Sequence, residues 1–157
     1  MDKSPKLIFK VRPKAISGDM RITWRVSVVL LMLNYSRSKR ASLAKLHILN
    51  DALRSERSRG HLEVVLAGNA PLFSWAIRVE PAFARALDFL VAEGLAEWVV
   101  ASERTSAQLT KKGKTAAEKI LSEEDLFSSE RSFLKKSAMP LTENLVNGIL
   151  AASKVRV

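Results

Sequence analysis

The sequence predicts a mainly α-helical protein, with a core of helices, one small β-hairpin and a C-terminal helical extension. Three observations predict this class. The most apolar segment, residues 26–33, belongs to a stretch with helical rather than alternating periodicity. Residues 95–109 resemble two short strands around a polar turn. Elsewhere, candidate helix starts at Ser42, Pro81 and Thr110 and a candidate helix end at Gly94 indicate further helices.

The composition is that of a globular protein and excludes several classes of site. Of the 157 residues, 47% are apolar and 27% are charged. The chain has no Cys, which excludes disulfides, thiolate zinc sites and cysteine nucleophiles, and it has only two His. We therefore expect no metal and no cofactor. The lack of Cys fits a reducing compartment, so the expected location is the cytoplasm.

The positive charge is concentrated in the first part of the chain. Residues 1–60 carry 14 Lys and Arg against 4 Asp and Glu, whereas residues 61–157 carry 12 of each. Such a one-sided excess favours an anionic partner, namely nucleic acid, an acidic protein or a membrane surface. The alternative is a charged surface that only keeps the protein in solution.

The elements of the first half follow from breakers and periodicity. Residues 1–19 hold prolines and a short alternating piece, which predicts an arm or one edge strand. Residues 20–35 predict a buried helix that is too short in its apolar run to cross a membrane. After a polar connector at residues 36–40, Ser42 is a plausible N-cap of a second helix. The residues expected on the packed face of that helix are Leu43, Leu46, Asn50 and Leu53.

The second helix is expected to fray through residues 55–60, before a short helical piece at residues 61–67 and a breaker cluster at residues 68–71. Residues 72–79 contain aromatic and β-branched side chains and predict a short strand. The remaining expected elements are a helix over 81–93 that ends at Gly94, strands over 95–101 and 106–109, a helix over 111–121 capped by Thr110, and helices near 129–137 and 142–153.

The segments Glu93-Gly94-Leu95 and Leu109-Thr110-Lys111-Lys112-Gly113 enclose the predicted hairpin. This arrangement resembles the wing region of winged helix-turn-helix domains. The resemblance implies a winged core over residues 20–121, an arm over residues 1–19 and a helical extension over residues 122–157. It also implies that Trp98 and Arg104 belong to the wing.

A narrower resemblance depends on motifs along most of the chain. They lie at residues 36–49, 52–54, 79–81, 93–95, 109–113 and 141–143. Together they resemble the middle component of ABC-three-component bacterial anti-phage systems, the group that includes Lamassu, although Asp51 stands where that family often has a Trp. The resemblance implies a non-enzymatic adaptor that works beside an SMC-like ATPase and an effector, often a nuclease.

The residues themselves point to weak rather than sequence-specific contact with DNA. The helix over 81–93 occupies the position of a recognition helix, yet its charged residues are only Arg85, Asp88 and Glu93. Reading bases in the major groove needs several Arg, Lys, Asn or Gln side chains. The residues predicted to contact phosphates lie instead near the second helix; they are Arg37, Lys39, Arg40 and Lys45. A flexible charged linker is the alternative for this cluster.

Signals for catalysis are poor, so we expect no enzyme. His47 has an apolar helical context, His61 lies at a helix start, and the carboxylates of residues 123–125 would point in different directions on a helix. The apolar stripe of the last helix, with Leu141, Leu145 and Ile149, is the predicted partner or homodimer interface; packing on its own domain is the alternative. The leading hypothesis is the defence adaptor, and the main alternative is a homodimeric winged-helix transcriptional regulator. A third possibility is a general nucleoid or DNA-end-binding accessory protein.

Overall fold

The computed structural model describes residues 18–154. This part of the chain is mainly helical and contains a three-stranded antiparallel sheet with strand order β1-β3-β2. The predicted arm over residues 1–19 lies outside the described residues except for its last two positions, which belong to the first helix. The elements are α1 (Gly18–Tyr35), β1 (Arg40–Ser42), α2 (Leu43–Ala52), α3 (Glu56–Leu66), α4 (Pro81–Ala92), β2 (Ala96–Ala101), β3 (Arg104–Leu109), α5 (Lys111–Ser122), α6 (Ser128–Ser137) and α7 (Glu143–Lys154).

Helix α1 is the centre of the fold, as its apolar sequence predicts. Every residue of the segment 26–33 except Ser27 is buried, and α1 contacts α4, α5 and α6 as well as the sheet. A helix that is apolar on all sides must be covered on all sides, which explains this central position. Ile22 and Trp24, in the turn before this segment, remain exposed.

Helix α2 begins where the sequence predicts, because the Ser42 hydroxyl accepts a hydrogen bond from the Lys45 N–H. The prediction of its packed face is wrong for Leu43, which is 38% exposed, whereas Leu46, Asn50 and Leu53 are buried. The expected fraying over 55–60 is also wrong. Those residues form the first turns of α3, since the Ser55 hydroxyl accepts from the Ser58 N–H and caps a new helix.

The sheet differs from the prediction in two strands. Residues 72–79 form no strand; they comprise a 3₁₀ turn at Leu72–Ser74 and an extended segment that leads into α4. The unpredicted strand is β1, which pairs Arg40 with Gln108 and Ser42 with Ser106. A segment of β-forming composition becomes a strand only where a partner strand lies beside it, and residues 72–79 have none.

The predicted helix–hairpin–helix region is confirmed. Gly94 follows α4 with a left-handed backbone, at φ 70°. Strands β2 and β3 pair from Ala96 with Leu109 to Ala101 with Arg104. The Thr110 hydroxyl then caps α5 by accepting from the Gly113 N–H, and it donates to the Gly94 carbonyl at 2.5 Å. The Thr110 side chain thus connects the chain after β3 to the chain before β2.

Helices α6 and α7 share the core of the preceding elements. Helix α6 contacts α1 and α3, and α7 contacts α2 and the turn at Leu72–Ser74. The large apolar side chains of this region that are 0–1% exposed are Leu134, Leu141, Val146 and Ile149. The hydrophobic core therefore extends across the predicted boundary between residues 121 and 122.

Candidate functional site

The structure brings three of the four predicted phosphate-contact residues into one cavity of about 630 Å³. This basic cavity lies between the turn before β1, the tip of the β2–β3 hairpin and the start of α7. The charged side chains that line it are Arg37, Arg40, Lys45, Arg104 and Glu143. Among the described residues, four cationic side chains thus face one carboxylate. Several hydroxyl groups complete the lining, including those of Ser102, Ser106 and Thr142.

Lys45 is the most deeply placed of these cations. The residue is 4% exposed and lines the cavity. Within the described residues, its ammonium has no hydrogen bond and no carboxylate within ion-pair distance. Burial lowers the pKa of Lys45, and the negative charge of Glu143 opposes that shift. The Nζ atom itself is not fully enclosed, so the ammonium opens into the cavity, where a bound anion would pair with it.

Glu143, the first residue of α7, supplies the one negative charge of the cavity. Its carboxylate accepts a hydrogen bond from the Ser42 N–H at 3.0 Å and lies 3.5 Å from the Arg104 guanidinium. It therefore joins the end of β1, the hairpin and α7. Sequence reasoning missed this residue as a site component, although the motif at residues 141–143 marks the helix start.

Lys39, the fourth residue predicted to contact phosphates, lies apart from the other three. Its ammonium donates at 2.6 Å to the carbonyl of Asn34 in the last turn of α1, and Lys39 is absent from the cavity lining. The last carbonyls of a helix lack partners within the helix, so this lysine completes α1 instead. At the start of α2, the Ser42 side chain accepts a hydrogen bond from the Lys45 N–H.

The hairpin ends in a two-residue turn, and the two predicted wing residues differ in environment. Ser102 and Glu103 both have positive φ, which is the geometry of a tight hairpin turn. Arg104 directs its guanidinium toward Glu143 rather than standing free in solvent. Trp98 is 40% exposed on β2. The structure therefore separates them, with Arg104 in the basic cavity and Trp98 on the surface.

Helix α4 buries one face and exposes another. Phe83, Ala86, Leu87 and Leu90 are packed in the core. The exposed face carries Arg85, Asp88 and Phe89, and Phe89 keeps 46% of its surface in solvent. This face therefore has one positive charge, one negative charge and an aromatic ring.

The predicted interface on the last helix needs correction. Leu141 and Ile149 are fully buried within this chain, and Leu145 packs against the same core with part of its surface exposed. These residues pack on the chain's own domain, which is the alternative that the sequence left open. Large apolar side chains that do remain exposed include Ile22, Trp24, Val79, Phe89, Trp98 and Val100.

A second cavity, of about 490 Å³, contains a His–Ser pair that the sequence did not indicate. The Nε2 atom of His61 lies 3.0 Å from the Ser74 hydroxyl oxygen. That hydroxyl donates its own proton to the Pro71 carbonyl at 2.6 Å, so Ser74 serves as the acceptor for His61. A serine nucleophile needs the opposite arrangement, in which the imidazole accepts the hydroxyl proton.

Neither a metal cluster nor a membrane span is found in the part of the chain that the structure describes. Over residues 18–154, no three or more His, Asp or Glu side chains are grouped in a way that would hold a metal ion. No helix in the same range combines the length and the apolar character needed to cross a bilayer.

Comparison of the chain with protein-family models, with curated proteins and with solved structures finds no match.

Proposed function

We propose that this chain is a non-catalytic adaptor with a winged-helix core, and that α4 and the hairpin bind protein partners. The element order supports the winged core: α4 directly precedes a β-hairpin, and β1, between α1 and α2, completes the sheet beside β3. In such domains the helix before the hairpin is the one that enters the major groove when the domain binds DNA. Helix α3 is then an additional helix between α2 and α4.

The observation that carries the proposal is the exposed face of α4. Arg85 and Asp88 oppose each other in charge, and an anionic DNA groove would repel the carboxylate. Phe89 adjoins them and is exposed. Base recognition relies on Arg, Lys, Asn and Gln, whereas exposed aromatic side chains are enriched at protein interfaces. The face therefore suits a protein surface better than DNA bases.

The proposed identity of the partners comes from the sequence resemblance. They are an SMC-like ATPase and an effector subunit, often a nuclease, of a bacterial anti-phage complex. In this proposal the chain bridges the two, and its cationic residues add weak contacts with DNA phosphates that are indifferent to sequence and fall as salt rises.

Co-purification with the proteins encoded by neighbouring genes tests this function. Phe89→Glu should abolish co-purification, since a carboxylate would be desolvated at the centre of the interface. Val64→Glu on α3 is the matched control, because Val64 is 44% exposed and Phe89 46%. Co-elution of Phe89→Glu with every partner, at the level of the control, would contradict the adaptor role of α4.

The alternative, a homodimeric winged-helix regulator, is distinguished by sequence-specific DNA binding. The basic cavity beside the hairpin is the feature that favours it, since cations near a wing can contact phosphates. A footprint on a defined palindrome at physiological salt, lost in Arg85→Ala, would support the regulator. Binding of equal strength to unrelated duplexes supports the adaptor with its weak backbone contact.

A further inference from the structure

We propose that the basic cavity is a binding site for a terminal phosphate group, with Lys45 as its innermost ligand. The phosphate would be a monoester, carried either by a free nucleotide or by the end of a nucleic acid strand. The cavity is a different surface from the exposed face of α4, so this inference does not depend on the adaptor role.

The state of Lys45 is the first argument. The residue is 4% exposed, lines the cavity and has no hydrogen-bond or ion-pair partner within residues 18–154. Its side chain is buried along most of its length, but the ammonium still opens to the cavity, so a ligand there can reach it. Glu143 lies beyond ion-pair distance and compensates only in part. A phosphate in the cavity would supply the missing acceptor oxygens.

The charge around Lys45 is the second argument. Arg37, Arg40 and Arg104 line the same cavity, so within residues 18–154 four cations face one carboxylate, that of Glu143. The first turn of α7 also borders it through Thr142, Glu143 and Asn144, and the start of a 12-residue helix adds positive partial charge. An uncompensated excess of positive charge of this kind favours a dianion over a singly charged group.

The shape of the cavity distinguishes a terminal phosphate from a duplex backbone. Its volume of about 630 Å³ lies within the range of small-molecule sites. The innermost cation is recessed, because Lys45 is buried while Arg37 and Arg40 are exposed. A phosphate at the end of a ligand can enter such a recess, whereas an internal phosphodiester on the outside of a duplex reaches only the rim.

Glu143 acts in this proposal as an internal competitor. Its carboxylate forms an ion pair with the Arg104 guanidinium and accepts a hydrogen bond from the Ser42 N–H. An incoming phosphate competes with it for Arg104 and is repelled by its charge. Removing that charge should therefore strengthen binding, which is the opposite of the effect expected for any other charge of the cavity.

Isothermal titration of the full chain at low salt provides the test. The probes are inorganic phosphate, deoxyadenosine monophosphate and deoxyadenosine. We expect both phosphates to bind and the nucleoside not to bind, since the recognised group is the phosphate. Absence of heat with both phosphates at millimolar concentrations would overturn the proposal.

Variants locate the binding in the cavity. Lys45→Met keeps the length and burial of the side chain and should weaken binding about tenfold or more, because one charge-assisted hydrogen bond is lost. Arg57→Gln is the matched control: Arg57 is exposed on α3 and outside the cavity lining, so the same loss of one charge should leave the affinity unchanged. Glu143→Gln should bind about threefold more tightly or better. Equal weakening in Lys45→Met and Arg57→Gln would show diffuse attraction and contradict the site.

A second variant guards against a folding defect. Arg40 is exposed, so Arg40→Gln should melt like the unmodified chain and still weaken binding severalfold.

Oligonucleotides with a 5′-phosphate or a 5′-hydroxyl then identify the source of the phosphate group. Tighter binding of the phosphorylated strand than of the mononucleotide assigns a strand end, and the reverse order assigns a free nucleotide. Equal binding of phosphorylated and hydroxyl strands, with no mononucleotide binding, would overturn the terminal-phosphate assignment.

Discussion

At the scale of the residue, two ionisable side chains of α2 are buried in different surroundings. Lys45 faces the basic cavity, whereas His47 packs edge-on against Phe83, with 5.1 Å between the ring centroids. The Nδ1 atom of His47 is buried and has no partner among the described residues. Burial lowers the pKa of His47 from its ordinary value of 6.5, and the charge of Asp51 opposes the shift in part. His47 is thus a core residue, as its apolar helical context indicates.

This burial makes stability depend on pH. The pKa of His47 is lower in the folded state than in the unfolded chain, so the unfolded chain takes up the proton first as the pH falls below about 6.5. The contribution of His47 to the free energy of unfolding is therefore complete above pH 7 and declines as the pH falls through 6.5 towards the folded-state pKa. Urea unfolding from pH 7.5 to 5 should show a shallower decline for His47→Leu, which has no proton to bind. Parallel curves for the two proteins would contradict this.

Gly113 illustrates a residue whose importance the sequence does indicate. A Cβ atom at this position would overlap the carbonyl oxygen of Leu95, because α5 passes directly over the chain that leaves α4. Gly113→Ala should lower the free energy of unfolding by about 3 kcal/mol or more, because the backbone at Leu95 or in α5 would have to move to relieve the overlap. Gly60→Ala is the control. No atom lies within 4 Å of a Cβ there, and Gly60 is inside α3, so Ala should raise the free energy by about 0.5–1 kcal/mol. Equal effects in urea unfolding would rule out the close contact.

At the scale of the element, Glu80 joins three helices. Its carboxylate accepts from Arg25 of α1 at 2.6 Å and from the buried amide of Asn50 in α2 at 3.1 Å, and it directly precedes α4. The hydrogen bond from Arg25 is the main cause of its lowered pKa, with Asn50 adding to it. The carboxylate therefore stabilises the fold above its ordinary pKa of 4.5, and this contribution is lost as the pH falls through the lower folded-state value.

Replacing Glu80 should loosen the contact between α1, α2 and α4. Glu80→Ala leaves the Asn50 amide without its acceptor and should cost about 2 kcal/mol at neutral pH. Glu63→Ala on the exposed face of α3 should stay within about 0.5 kcal/mol. The difference between Glu80→Ala and the unmodified protein should shrink at pH 3, because the unfolded chain takes up the proton below about pH 4.5 and the favourable contribution of the carboxylate declines. Urea unfolding at both pH values measures this, and a pH-independent cost would assign the effect to packing alone.

The elements that sequence reasoning predicts well are those defined by local signals. Thr110 and Ser42 are N-caps, Pro81 starts α4 and Gly94 ends it, because each acts on its own neighbours in the chain. Strand β1 was missed because it has only three residues and exists through pairing with β3, more than sixty positions later. The segment 72–79 was assigned as a strand for the converse reason: its composition is favourable, but it has no partner.

At the scale of the whole molecule, the basic cavity shows why a site is harder to predict than a helix. Arg37, Arg40 and Lys45 are close in sequence and were identified as a cationic cluster, whereas Arg104 and Glu143 come from a hairpin and a helix that the fold brings beside them. Lys39, inside the same cluster, turns back to α1. Sequence spacing gives the charge of the region but not the side chains that share one cavity.

The last prediction concerns the C-terminal helices, which complete the core of the whole chain. Leu141 is 0% exposed, and Gly148 of α7 allows close packing on Leu72. Leu141→Ala should therefore cost about 2–5 kcal/mol, as expected for a cavity in a packed core. Leu126→Ala is the matched control, since Leu126 is 43% exposed and should cost less than about 1 kcal/mol. Urea unfolding should show one transition for both variants, because α6 and α7 contact α1, α2 and α3. A separate early transition in Leu141→Ala, with the remaining unfolding unchanged, would instead identify α6 and α7 as an extension that unfolds on its own.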